Sequence, residues 1–290
     1  MVSNRVDFVV ITPLAEELDA ILDMLPNPQK HVSTPEDIHV YYAAELPFES
    51  NSSATSIYSI VVLPLTQMGQ TEAASATLGA IQRWRPRYVL LVGIAGGIAK
   101  SGAKLGDVLI SNQIVDYEQA KITEQGTSIR WQVHRADQRL LIAAQNFKSE
   151  HWIKAVLHRP DKKTPEVHFG PICTGNKVIA ENSLAKQLQE VWAKLIGVEM
   201  EAGGVANAIL HSAQQPGFFM IRGVSDLADG NKDSKYVKRW RHYACNIAAS
   251  YTIEFLKSGP VPGKNFESEE VDKHQREDQE EVPRLSDQID

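Results

Sequence analysis

The segment Arg222-Gly223-Val224-Ser225-Asp226-Leu227-Ala228-Asp229 puts a Ser-Asp pair just past Phe218-Phe219-Met220-Ile221, an apolar run of the kind that forms a buried strand. A carboxylate is costly to bury unless something holds it there. A carboxyl kept at the mouth of a core strand tends towards a raised pKa and can carry a proton at neutral pH. Protonating a poor leaving group needs such an acid. Read alone, the octapeptide fits equally well a turn whose Asp caps the next helix.

Three further segments lie where open α/β sheets place their ligands, at the carboxyl ends of expected strands. They are Thr12-Pro13-Leu14-Ala15-Glu16-Glu17-Leu18, Gly93-Ile94-Ala95-Gly96-Gly97 and Gly197-Val198-Glu199-Met200-Glu201-Ala202. Each also has a plain reading. Glu16 and Glu17 fall in the first turn of a helix, where the macrodipole favours acids. The glycine segment lacks the Lys-Ser/Thr ending of a phosphate loop and the dinucleotide spacing, so a tight turn is its default. Glu199 and Glu201 are harder to dismiss, because they flank Met200 between an apolar strand and an Ala/Gly-rich helix, where solvation is poor. His39, His151 and His168 have no partners at metal-ligand spacing, so neither a metal nor a cofactor is expected. Cys173 has no adjacent base and reads as a core thiol.

The elements that must carry these residues alternate. Strands are expected over Val6–Ile11, Ile57–Leu65, Tyr88–Val92, Val108–Ser111, Ile114–Tyr117, Val167–Thr174, Ile196–Met200 and Phe218–Val224. Helical spacing marks Glu16–Leu25, Gly69–Trp84, Ala136–Phe147, Glu181–Lys194, Ala202–Ser212 and Tyr236–Leu256. Solid apolar strands between helices predict an α/β fold with a central, mixed, twisted sheet covered on both faces. Phe48–Ser56 reads as a surface loop and Lys148–Pro165 as a flexible excursion.

Of 290 residues, 43% are hydrophobic and 23% charged, ordinary values for one large α/β domain. The net charge of −6 sits entirely after Ser258, where ten acids face four bases. The preceding 258 residues are neutral, which gives no basic footprint for nucleic acid. The expected organisation is a catalytic domain over residues 1–258 and an acidic tail, 259–290, too poor in large apolar residues to fold alone. Two cysteines fit a reducing cytoplasm better than a disulfide scaffold. The longest run without a polar residue, Tyr88 to Ala99, is shorter than the roughly 20 residues of a membrane span, and no signal peptide is read at the N-terminus.

Glu16-Glu17, Met68-Gly69, Gly93–Gly97 with Gly106-Asp107, Val198–Ala202 and Arg222–Asp226, in this order and spacing, resemble the purine nucleoside phosphorylase and uridine phosphorylase superfamily. The closer likeness is to its nucleosidase branch, typified by methylthioadenosine/adenosylhomocysteine nucleosidases. The resemblance runs from about Val6 to Lys257 and implies a single nucleoside-phosphorylase-type domain. By position it makes Glu17 the acid that activates water and Asp226 the acid that protonates purine N7, supported by Ser225. It makes Glu201 the carboxylate that grips the ribose hydroxyls, with Met200 beneath the sugar and Glu199 beside them. Ala95 and Gly96 line the site, Ile179 reads the purine edge, and Val178 stands where an aromatic would stack on the base. It also implies a homodimer or higher homo-oligomer, no nucleic-acid or membrane partner, and a small-molecule purine nucleoside or nucleotide as substrate.

Phosphorolytic relatives carry a Gly-Asp-Pro turn after the first strand and an Arg near the central glycines, which together bind phosphate. Here those places hold Thr12-Pro13-Leu14 and Ile94, so hydrolysis is favoured over phosphorolysis. Beyond Asp226 the chain is unusually basic, which makes Lys232, Lys235 and Arg239 candidates for contacts to a phosphorylated 5′ end, as in AMP or ATP. The same bases also fit a solvated helix start. Three alternatives stay open: an ATP or AMP nucleosidase that depletes nucleotide, a phosphorylase, and a nucleoside sensor without turnover. The three carboxylates Glu17, Glu201 and Asp226 argue against a sensor, which has no use for a general acid.

Overall fold

The computed structural model describes residues 5–32, 34–35, 37–49, 56–124, 126–156, 159–161, 163–177, 182–228 and 235–263. In chain order the elements are β1 (Phe8–Thr12), α1 (Ala15–Met24), β2 (Gln29–Lys30), β3 (Tyr42–Phe48), β4 (Ser56–Pro64), α2 (Gln70–Trp84), β5 (Tyr88–Gly97), β6 (Val108–Asp116), β7 (Ala120–Thr123), β8 (Gly126–Ile129) and β9 (Gln132–Arg135). They continue with α3 (Gln138–Asn146), α4 (His151–Lys154), β10 (Val167–Thr174), α5 (Asn182–Val191), β11 (Gly197–Glu199), α6 (Ala202–Leu210), β12 (Gly217–Asp226) and α7 (Lys235–Lys257).

The main sheet runs β11-β10-β6-β12-β5-β1-β4-β3-β2, with β9 added at β6. Its centre is parallel, β4-β1-β5-β12, and these strands are buried on both faces, as their solid Val/Ile/Leu runs require. Antiparallel pairs, β6–β12 and β3–β4 among them, make it mixed. β5 is long enough to pair at its far end with β11 as well, through Gly97↔Gly197 and Gly96↔Val198. The path β11-β10-β6-β12-β5 thus closes on itself, and the last residues of β5, β11 and β12 are drawn together. Apolar side chains fill both faces, one cluster under α1, α3 and α7 and another under α2 and α6.

One strand is added to those expected, and two expectations change. Tyr42–Phe48 is a strand, with Ala44, Leu46 and Phe48 buried and Glu45 and Pro47 exposed, a period-two pattern interrupted in sequence by a proline. Lys148–Pro165 is docked on the body at Trp152, which is buried and whose carbonyl accepts the Ser250 hydroxyl. Arg159 lies 5.2 Å from the Trp240 ring centroid and 5.5 Å from that of Tyr243. The ordered body also passes Ser258. Val261 is 3% exposed, its carbonyl accepts the buried Tyr58 hydroxyl, and the Pro262 carbonyl accepts from Arg87. A valine with two captured carbonyls beside it belongs to the core; residues 264–290 lie outside the described residues.

Ending the chain at Ser258 is therefore expected to lower Tm relative to ending it at Gly263, because one buried valine contributes about 1.5–3 kcal/mol. Thermal unfolding of the two truncations checks this, and equal Tm values would count against a core role for Val261.

Candidate active site

Arg222 stands inside β12, paired in register with Gly93 of β5, and is 1% exposed. A buried guanidinium must be matched by charge, and its match comes from β11 and the turn into α6. Its Nη2 donates to Glu199 at 2.5 Å and to Glu201 at 3.1 Å. Glu199 also accepts the backbone N–H groups of Glu201 and Ala202, each at 3.0 Å, which ties the pair to the start of α6. The second oxygen of Glu201 accepts the Gly69 N–H at 3.2 Å, just ahead of α2.

The third carboxylate near Arg222 is Glu17, in the first turn of α1. One oxygen reaches back to the Leu14 N–H at 2.7 Å, half of a capping box, and the other accepts the Ile94 N–H at 2.7 Å. Glu16, one residue earlier, points outward to Arg241. Glu17 and Arg222 meet over Gly93: a Cβ there would lie 2.3 Å from a Glu17 oxygen and 2.6 Å from Arg222 Nη1. Gly96 plays the same part for Asp226, whose Oδ1 would be 3.1 Å from a Cβ. The glycine-rich segment is thus the second half of β5. It is held as strand by β12 on one side and β11 on the other, and its glycines serve close approach.

Asp226 ends β12 and is half-buried. Its Oδ1 accepts the Ala228 N–H at 2.9 Å, and its Oδ2 accepts the Ser225 hydroxyl at 3.0 Å. The Ala95 carbonyl lies 3.4 Å from the same hydroxyl. The first of these is a local turn; α7 begins at Lys235, so Asp226 does not cap it.

Between these groups opens a cavity of about 300 Å³. Of the residues expected at a site, it brings together Glu17, Ala95, Gly96, Glu199, Met200, Glu201, Ser225 and Asp226. Val178, Ile179 and Lys232 lie outside the described residues, and Lys235 opens α7. Arg239 is exposed and does not line the cavity; Lys238, Arg241 and Lys177 do. Positions three apart share a helix face, which takes 238 and 241 inward and turns 239 away. Arg222 was given no role in the sequence, although an arginine within a run as apolar as Phe218–Val224 signals a buried ion pair. Among the described residues no group of three or more His, Cys, Asp or Glu is placed to hold a metal ion.

The charges do not balance: one guanidinium faces three buried carboxylates. Burial pushes Glu17 up to about 7, against the opposing pull of Arg222. Burial likewise raises Glu201. Burial alone would lower Arg222, but Glu199, Glu201 and Glu17 outweigh it and raise its pKa. A carboxylate near 7 passes between acid and base forms around neutral pH, as a general base must.

Arg222→Met is expected to destabilise by about 3–5 kcal/mol, since it strands Glu199 and Glu201 as buried charges; denaturant unfolding measures it. Glu17 has a folded pKa above its unfolded value, so the stability it contributes is full at low pH and is lost as pH rises through about 7. Glu17→Gln removes that dependence. Its Tm relative to the parent is expected to rise between about pH 5 and about pH 8. A pH-independent difference would contradict a raised Glu17.

The model of the phosphorylase superfamily matches residues 7–257. A 5′-methylthioadenosine/S-adenosylhomocysteine nucleosidase of Actinobacillus succinogenes is 27% identical over 222 residues, 76% of this chain and 86% of that one. The Death domain-containing ATP nucleosidase of Amphimedon queenslandica is 23% identical over 202 residues, 66% of this chain but only 37% of that protein. An uncharacterized protein of Sinorhizobium fredii is 27% identical over 235 residues, 78% of this chain, and the match spans about half, 55%, of its length. Among solved structures, the 5′-methylthioadenosine/S-adenosylhomocysteine nucleosidase of Neisseria meningitidis in complex with methylthio-immucillin-A gives a TM-score of 0.66. It is 22% identical, over 87% of this chain and 98% of that one, and at that identity the likeness speaks for the fold. The chain belongs to the phosphorylase superfamily, on its nucleosidase branch.

Proposed function

We propose that the chain hydrolyses the N-glycosidic bond of an adenine nucleoside or nucleotide and releases the free base. The observation that carries this reading is Glu17, a buried carboxylate poised near pH 7 in a cavity that also holds a second carboxyl at a strand end, Asp226. Cleaving the bond puts positive charge on the sugar and negative charge on the departing base. Asp226 gives its proton to purine N7 as the C1′–N9 bond breaks and its electron pair passes to the base. Water then adds to C1′ and gives its proton to Glu17. Two carboxyls divide acid and base duties here as they do in glycosidases. In this reading Glu201, held by Arg222 and the Gly69 N–H, accepts the ribose hydroxyls, and Met200 lies under the sugar. An ionised Glu201 stabilises the ribosyl cation as it forms.

Water fits the nucleophile position better than phosphate. The Ile94 N–H is taken by Glu17, so it is not free for a phosphate oxygen, and an ionised Glu17 would repel a phosphate dianion. A homodimer, which the family resemblance implies, belongs to the same proposal.

The test is adenine release in phosphate-free buffer from methylthioadenosine, adenosine, AMP and ATP. Release without phosphate is the expected result; release only on adding phosphate would make the chain a phosphorylase, and binding without release would make it a sensor. Asp226→Asn is expected to lose roughly a hundredfold in turnover with the fold intact, the usual worth of a general acid. Because Glu17 must be ionised to accept a proton, kcat/KM is expected to rise as pH passes upward through about 7. A rate indifferent to either change would overturn these roles.

A further inference from the structure

We infer that the site is built for a substrate with a phosphorylated 5′ end, gripped by Lys238 and Arg241. The inference rests on the hydrolytic reading for the orientation of the ribose. With the base at Asp226 and Ser225, and the 2′- and 3′-hydroxyls at Glu201, the 5′ carbon faces the remaining wall. That wall is made of Pro13, Leu14 and the first turns of α7, and its polar groups are Lys238 and Arg241.

Packing fixes the direction in which these cations point. Trp240 and Tyr243 are buried and receive Arg159 between them, so that side of α7 is locked to the body. Lys238 and Arg241 lie on the other side, three residues apart, and face the cavity. Arg241 is anchored from α1: its Nε donates to Glu16 at 3.1 Å, which sets the position of the guanidinium. Lys238 makes no ion pair among the described residues. An uncharged, apolar 5′ substituent would leave both cations without an acceptor from the substrate. A phosphate would accept charge-assisted hydrogen bonds from both. Glu16 is the acid paired with Arg241 among the described residues and sits outside the cavity lining, while the acids inside it, Glu17, Glu199, Glu201 and Asp226, are those assigned to the sugar, the base and the water. Lys177, at another part of the rim, is held by Glu118 at 2.9 Å and is not assigned a part.

The experiment compares kcat/KM for adenosine, AMP and ATP, without magnesium, in the parent, Lys238→Met, Arg241→Met and the double variant. The parent is expected to prefer a phosphorylated substrate, and each substitution to lower the ratio of nucleotide to adenosine by about tenfold or more, the usual worth of a hydrogen bond to a charged group. A loss shared by AMP and ATP puts the cations at the α-phosphate; a loss for ATP alone puts them further along the chain. Equal use of adenosine and nucleotides by the parent, or a ratio the variants leave unchanged, overturns the inference and leaves hydrolysis standing. Binding of ATP and adenosine to Asp226→Asn protein separates the two readings in the other direction. ATP binding that is tighter, weakens with salt and is lost with Lys238→Met supports the phosphate subsite even if no substrate releases adenine. Indifference to the 5′ group overturns it.

Discussion

The rest of the site depends on one buried cation. Arg222 is enclosed in the central sheet, where a guanidinium cannot stay without compensation, and three carboxylates compensate it. Glu199 and Glu201 tie it to the start of α6, and Glu17, in the first turn of α1, acts on it by charge across Gly93. Through Glu201 the network reaches Gly69 and the entry to α2, and through Glu17 it reaches the Ile94 N–H of β5. Separate stretches of chain are thereby fixed around a point that no apolar packing could define as sharply. Burial is what leaves Glu17 titrating near neutrality, since the single guanidinium of Arg222 does not offset the loss of solvent.

The sheet provides the second condition. β5 is shared by β1, β12 and β11, and this sharing pulls the ends of β11 and β12 onto one spot. Carboxylates can lie against β5 because Gly93 and Gly96 carry no side chains. Any residue with a Cβ at Gly93 would collide with both Glu17 and Arg222. Closure of the sheet and absence of side chains are thus two requirements of the same geometry.

Much of this was legible in the residues. The parallel core strands read directly, because strands buried on both faces must be apolar throughout. The carboxylates at their ends read as a site because acids in such places need a reason. Where the reading fell short, the cause was long-range. The strand Tyr42–Phe48 was hidden by Pro47 within it, and the role of Trp152 depends on its contact with α7. The glycine segment has turn composition, yet pairing on both sides makes it strand.

The sequence by itself determined the alternating α/β fold, the family likeness and the set of acids at the strand ends, since burial patterns and local spacing encode these. Tertiary structure decided which groups meet. It turned Glu17 inward and Glu16 outward, made Arg222 the partner of Glu199 and Glu201, and put Lys238 and Arg241 in the cavity wall while Arg239 faces away. Ion pairs between residues many positions apart depend on strand register and helix phase. Those are fixed only when the whole core packs, so no local pattern can state them.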